Sequence, residues 1–269
     1  MSELGHLDLG LSEQSNPGSQ SEPVMQTEPV MQTELQRQAE PITQAVVAIV
    51  PAAGIGSRMG ADRPKQYLEV CGQSILGHTL DKLLSHPHIS HVIVALHPND
   101  NIFDTLLQAT HPKLTTVLGG GERADSVLAA LQIVPEQSWA LVHDAARPCL
   151  TATDIDKLLA SRVQFPQGAI LAMPVRDTMK RANKQGEIST TVCRDNLWHA
   201  LTPQLFPAAQ LKDYLNAAMA AGAVVTDEAS AMEWAGISPG LVSGRADNIK
   251  VTHPDDLGLA ELFLMRAAK

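Results

Sequence analysis

Aromatic residues are scarce in this chain. Phe, Trp and Tyr make up 3% of its 269 residues, against 44% hydrophobic residues in all. Any core must therefore be aliphatic and rich in alanine. Cysteine is scarcer still. Cys71, Cys149 and Cys193 stand singly with no C-x-x-C pair, which argues against a structural zinc site and suits a reducing compartment. No apolar run approaches the ~20 residues of a spanning helix, and the N-terminus lacks a basic-then-apolar leader pattern. A soluble, cytoplasmic protein without membrane contact is expected. Positive charge is also in deficit: 20 Lys and Arg face 29 Asp and Glu, a net charge of −9. That balance argues against a general nucleic-acid binder. The deficit is uneven, with seven acids and one base in residues 1–40. The remainder is nearly neutral, so local basic clusters can still matter there.

Residues 1–40 contain no aromatic side chain and are rich in Gln, Ser, Glu and Pro. Such a segment cannot bury enough apolar surface to offset its ordering entropy, and a disordered tail is expected. It carries a tandem repeat, Glu22-Pro-Val-Met-Gln-Thr27 followed by Glu28-Pro-Val-Met-Gln-Thr33. Two six-residue copies are too few for a solenoid, and the repeat reads as a slipped duplication.

Residues 41–269 form the expected domain. The β-branched run Val46 to Val50 reads as a buried parallel strand. It opens into a loop holding Gly54, Gly56 and Gly60, with Arg58 and Lys65 as fixed cations. A glycine loop after a strand lets backbone N–H groups approach an anion, and the two cations add the charge that a triphosphate needs. Strand and helix patterns then alternate. Strands are expected at 91–96, 115–118, 139–142, 169–173 and 239–243. Helices are expected near 75–85, 101–108, 123–133, 153–161, 207–221, 227–235 and 254–267, the last with Thr252 as its N-cap. This rhythm implies an α/β fold, a mostly parallel twisted sheet with helices on both faces. Residues 51–65, 119–126 and 143–147 all fall at carboxyl ends of strands, where such sheets bind ligands. Between Pro174 and Leu197 the rhythm breaks. Val175 to Arg181 and Ile188 to Val192 flank a polar turn and read as a projecting β-hairpin arm. Such a hairpin is marginal alone, so packing on a second subunit is expected.

A dinucleotide fold also begins with Gly54-x-Gly56. Here the third glycine, Gly60, comes one residue late, and His97-Pro98 stands where a ribose-binding acid is expected.

Several motifs occur in order: Ala52-Ala-Gly-x-Gly-x-Arg-Met59 with Pro64-Lys-Gln66, Val142-His-Asp-Ala-Ala-Arg-Pro148, Pro174-Val-Arg-Asp-Thr178, Leu201-Thr-Pro-Gln204, Thr226-Asp-Glu-Ala-Ser230 and Gly244-Arg-Ala-Asp-Asn-Ile-Lys250. Together they resemble the 2-C-methyl-D-erythritol 4-phosphate cytidylyltransferases of the non-mevalonate isoprenoid pathway, over residues 45–267. The resemblance implies a single Rossmann-like nucleotidyltransferase domain, without the cyclodiphosphate synthase domain fused in some relatives. It implies attack of the acceptor phosphate on the α-phosphorus of CTP, with pyrophosphate leaving. Arg58 and Lys65 would stabilise the transferring phosphates. Ala52, Ala53, Gly54, Gly56, Gly120, Gly121 and Ser126 would line the nucleotide. Asp144 would bind Mg²⁺, with Asp247 a second metal candidate. Arg147, Thr178, Arg194, Thr202, Thr226 and Lys250 would bind methylerythritol phosphate, and Arg194 and Lys250 would orient its phosphate. The arm, 174–197, would embrace a partner in a homodimer. Other readings are a pentitol-phosphate (ribitol 5-phosphate) cytidylyltransferase, a non-catalytic nucleotide-binding module and a nicotinamide dehydrogenase.

Overall fold

The computed structural model describes residues 44–54 and 63–267. The expectations for the 1–40 tail, Gly56 and Arg58 fall outside that range.

Seven of the described strands form one sheet, in the order β11 (Gly240–Ser243), β7 (Ala169–Pro174), β10 (Trp198–Pro207), β6 (Trp139–Val142), β1 (Val46–Ala52), β4 (Ile89–Leu96) and β5 (Leu114–Leu118). Strand β1 (Val46–Ala52) pairs in parallel with β4 (Ile89–Leu96) on one side and β6 (Trp139–Val142) on the other. β4 continues in parallel to β5 (Leu114–Leu118). Beyond β6 lie β10 (Trp198–Pro207), β7 (Ala169–Pro174) and β11 (Gly240–Ser243). β10 runs antiparallel to both of its neighbours. The strand order thus grows outward in opposite directions from the β1/β6 pair. The carboxyl ends of these two strands mark the switch point at which ligands of open α/β sheets bind.

The core follows the strand period. Along β1, Val46, Ala48, Val50 and Ala52 enter one apolar cluster, while Val47 and Ile49 enter the other. The first cluster is covered by α1 (Ile75–Leu84) and α3 (Ala152–Ala160). The second is covered by α2 (Arg123–Leu131), α4 (Ala208–Ala220) and α5 (Glu228–Trp234). A smaller cluster joins the short β2–β3 hairpin (Glu69–Val70, Gln73–Ser74) to α6 (Asp255–Ala267).

Three expectations need correction. Residues 101–108 are not a helix but two 3₁₀ turns, Phe103–Thr105 and Leu107–Thr110. Asp100 Oδ1 accepts from the N–H groups of Ile102 and Phe103, and Leu106 between the turns is extended. Residues 198–207, where no strand was expected and a helix was placed from 207, form β10. Pro203 and Pro207 hid it, because proline is rare inside sheets. Ala200 and Gln204 of β10 face Ala172 and Ile170 of β7, so residues 201–203 bulge out of the ladder. Lastly, Thr252 does not cap α6. Its hydroxyl donates to Lys250 O, while Asp256 Oδ2 accepts from the N–H groups of Thr252 and His253, each at 2.8 Å.

The arm forms as expected. β8 (Met179–Ala182) and β9 (Ile188–Val192) pair antiparallel around a turn in which Asn183 Oδ1 accepts from Gln185 N and Glu187 N. In this single chain Ile188 is 67% exposed.

Candidate active site

Strand β1 ends at the first glycine loop. The side-chain amide of Gln66 holds what is described of that loop, donating to Ala52 O at 2.8 Å and Gly54 O at 3.1 Å. Gln66 and Lys65 share a 3₁₀ turn, Lys65–Tyr67. Lys65 Nζ donates to Val251 O at 3.1 Å, tying the loop to the segment before α6.

The second glycine loop follows β5. A Cβ on Gly119 would lie 2.6 Å from Ala53 Cβ, and one on Gly120 would lie 2.2 Å from Asp125 Cβ. These two positions are glycine because the loop packs directly on β1 and on the first turn of α2. The buried Ser126 hydroxyl joins loop and helix, accepting from Gly120 N and donating to Glu122 O.

Strand β6 ends at Asp144, which is 6% exposed. Its Oδ1 accepts from Arg123 Nε at 3.1 Å, and its Oδ2 from Lys250 Nζ at 3.0 Å and Arg147 Nε at 3.3 Å. Burial alone would raise its pKa. Arg123, Lys250 and Arg147 outweigh that and hold the carboxyl well below the usual carboxylate range. Arg123 in turn gives its two-pronged face to Glu228 of α5, NH1 to Oε1 at 2.6 Å and NH2 to Oε2 at 3.0 Å. Burial works against the charge of Arg123, but Glu228 and Asp144 prevail and raise its pKa. Five ionised side chains are thus joined through Asp144 and Arg123.

The backbone of Asp144 is fixed by the β10 bulge. Asp144 N donates to Thr202 Oγ1 at 3.1 Å, and that hydroxyl lies 3.0 Å from His143 Nδ1. His143 Nε2 lies 3.1 Å from Arg147 O. A carbonyl only accepts, so Nε2 carries the proton and Nδ1 accepts from Thr202. Burial pushes the His143 pKa down to about 4, so the ring is neutral near pH 7.

These strand ends and loops line a cavity of about 480 Å³. It brings together Ala52, Ala53, Gly54, Lys65, Gly120, Gly121, Ser126, Asp144 and Lys250, nine of the candidate residues. Arg147 and Thr202 are buried behind it, bonded to Asp144. Thr226 is exposed, its N–H bonded to Ser230 Oγ. Thr178 and Arg194 lie exposed on the arm segment and do not line the cavity in this chain; Arg194 donates to Arg176 O. Asp247 stands apart as well, outside the cavity lining and paired with Arg245. Arg123, Glu228 and Gln66 escaped the sequence reading. One signal for Arg123 was present: a cation in the first turn of a helix opposes the helix dipole and calls for an acidic partner.

Among the described residues, no group of three or more His, Cys, Asp or Glu is placed to hold a metal. Asp144 is the one of the two metal candidates that faces the cavity. A carboxylate offers about four lone-pair directions. Three are taken, which leaves one on Oδ1. That donor fits a hard cation with few protein ligands.

The family model IspD, described as 2-C-methyl-D-erythritol 4-phosphate cytidylyltransferase, matches residues 46–266. The chain belongs to this family. It is 79% identical over 228 residues to the 2-C-methyl-D-erythritol 4-phosphate cytidylyltransferase of Shewanella oneidensis, covering 85% of this chain and 92% of that one. It is 72% identical over 222 residues to the protein of the same name from Shewanella piezotolerans, covering 82% and 96%. Among solved structures, the 2-C-methyl-D-erythritol 4-phosphate cytidylyltransferase of Francisella tularensis superposes with a TM-score of 0.73 at 36% identity, over 82% of this chain and all of that one. Family membership makes the chain an enzyme, a nucleotidyltransferase of the isoprenoid pathway. Among the described residues, no helix is long and apolar enough to cross a membrane.

Proposed function

We propose that this chain transfers CMP from CTP to 2-C-methyl-D-erythritol 4-phosphate, giving 4-diphosphocytidyl-2-C-methyl-D-erythritol and pyrophosphate in the cytoplasm. The observation that carries this reading is the cavity at the β1/β6 switch point, where two glycine loops meet Lys65, Lys250 and Asp144. The glycine loops bind the nucleotide, and Lys65 with Arg58 neutralises its triphosphate. Lys250 orients the acceptor phosphate for in-line attack. A phosphate monoester is largely dianionic at neutral pH, so its attack needs no general base. His143 agrees with this: it is wholly buried, and both ring nitrogens are engaged by Thr202 and Arg147. When bound, Mg²⁺ neutralises charge developing on the transferring phosphates, with Asp144 as its protein ligand.

The acceptor half of the site draws on Arg147, Thr202 and Thr226 of one chain and on Thr178 and Arg194 from the arm of a second copy. The exposed apolar side chains of the arm, Met179 and Ile188, support such a homodimer. Pyrophosphate release with CTP, Mg²⁺ and either methylerythritol phosphate or ribitol 5-phosphate tests the reaction. Faster turnover of methylerythritol phosphate is expected. A strong ribitol preference would overturn the acceptor, and no release with either would overturn the reaction.

A further inference from the structure

The partner choice of Arg123 is informative. An arginine and a carboxylate bind most strongly through two parallel N–H···O bonds. Arg123 spends that two-point contact on Glu228, which does not line the cavity, and gives Asp144 only its Nε. Both carboxylate oxygens of Glu228, a residue only 1% exposed, are taken by Arg123. The start of α5 is in turn bolted to β10. Gln204 Nε2 donates to Asp227 Oδ2 at 2.8 Å, and Gln204 Oε1 accepts from Ala229 N at 2.9 Å. Glu228 is therefore a fixed post and not a mobile counter-ion.

We infer that Glu228 is a positioning residue that keeps Asp144 open to a divalent cation by occupying the two-point face of Arg123. The inference rests on the reading of Asp144 as the metal ligand. With Glu228 neutralised, the NH1/NH2 end of the guanidinium is no longer held by a charged partner, and the side chain is free to turn so that a second N–H joins Nε on Asp144. Asp144 Oδ1 is already bonded to the same side chain. A two-point contact there takes up the last lone-pair direction of Oδ1, and the cation must compete with an arginine for its ligand.

The test uses Mn²⁺ as a paramagnetic stand-in for Mg²⁺. Its binding to full-length protein with CTP and no acceptor is followed by electron paramagnetic resonance, so no turnover enters the measurement. Glu228→Gln should weaken Mn²⁺ binding by about tenfold, as for other groups that orient a metal ligand. CTP binding without metal should not weaken. Adding Arg123→Lys to Glu228→Gln should recover most of the loss, because an ammonium cannot make the two-point contact. Arg123→Lys alone keeps the measurement decisive if Glu228→Gln does not fold: Mn²⁺ affinity should stay the same or rise, and a loss overturns the inference. Equal Mn²⁺ affinity in the unsubstituted protein and Glu228→Gln also overturns it. So does a loss that Arg123→Lys fails to recover, since Glu228 would then act through net charge. Absence of Mn²⁺ binding by the unsubstituted protein with CTP would sink the metal reading itself, a distinguishable outcome.

Discussion

The cavity floor and the arm are opposites in construction. Around Asp144, five charged side chains from four parts of the chain are joined by hydrogen bonds, and Asp144 and Glu228 are almost wholly buried. In the arm, every residue of β8 is exposed, and the strands touch little beyond each other. Removing water from a charge is costly unless its partners are in place, so the floor exists only as a complete set. An isolated two-stranded hairpin is marginal in water, so the arm is incomplete without another surface. The described part of the half that we assign to the nucleotide is thus built within one chain, while the half that we assign to the acceptor would depend on assembly.

The largest test of this contrast is on the floor. Lys65→Ala should reduce turnover by about 10² or more, as for lost contacts to transition-state charge. Arg58→Ala should do the same, and near-normal pyrophosphate release in either variant removes that residue from the mechanism. Next comes the arm. Met179→Lys with Ile188→Lys should shift sedimentation from dimer to monomer and lower turnover, with CTP affinity retained. Full turnover by a monomer would break the comparison. A smaller effect separates the regions by pH. Folded His143 takes up a proton near pH 4, while the ordinary value is 6.5. Between these values the unfolded chain binds more protons, so stability falls as pH drops from 6.5 towards 4, by roughly 3 kcal/mol. Asp144, whose folded pKa is depressed, adds its loss only below its ordinary value of 3.8. Urea unfolding across this range measures the slope, and a flat profile would mean that His143 is not held neutral. The smallest expected effect is none: deleting residues 1–40 should leave turnover and melting temperature unchanged.

Much of this was legible in the sequence because the signals are local. The β-branched run Val46 to Val50, the glycine loops and an acid at a strand end each occupy a few adjacent residues. What escaped depends on distant partners. Arg123 and Glu228 are 105 residues apart, and nothing near either one names the other. Strand β10 was hidden because its prolines oppose strand propensity, a preference that pairing on both sides overrides. The 101–108 segment has the apolar residues of a helix, but Leu107 is 89% exposed and Asp100 turns the backbone instead.

The β10 bulge also sets a rule of parity. From Ala200 to Gln204 this strand advances four residues while β7 advances two, so the surplus is an even number. Trp198 before the bulge and Phe206 beyond it, eight residues apart, therefore enter the same side of the core, while Leu205 enters the other. Losing one residue from 201–203 would turn every side chain on one flank of the strand to the opposite face of the sheet. Losing two adjacent residues would spare the sheet but remove Thr202, whose hydroxyl accepts from Asp144 N. Chain length in this short segment is therefore constrained twice, once by the sheet and once by the site.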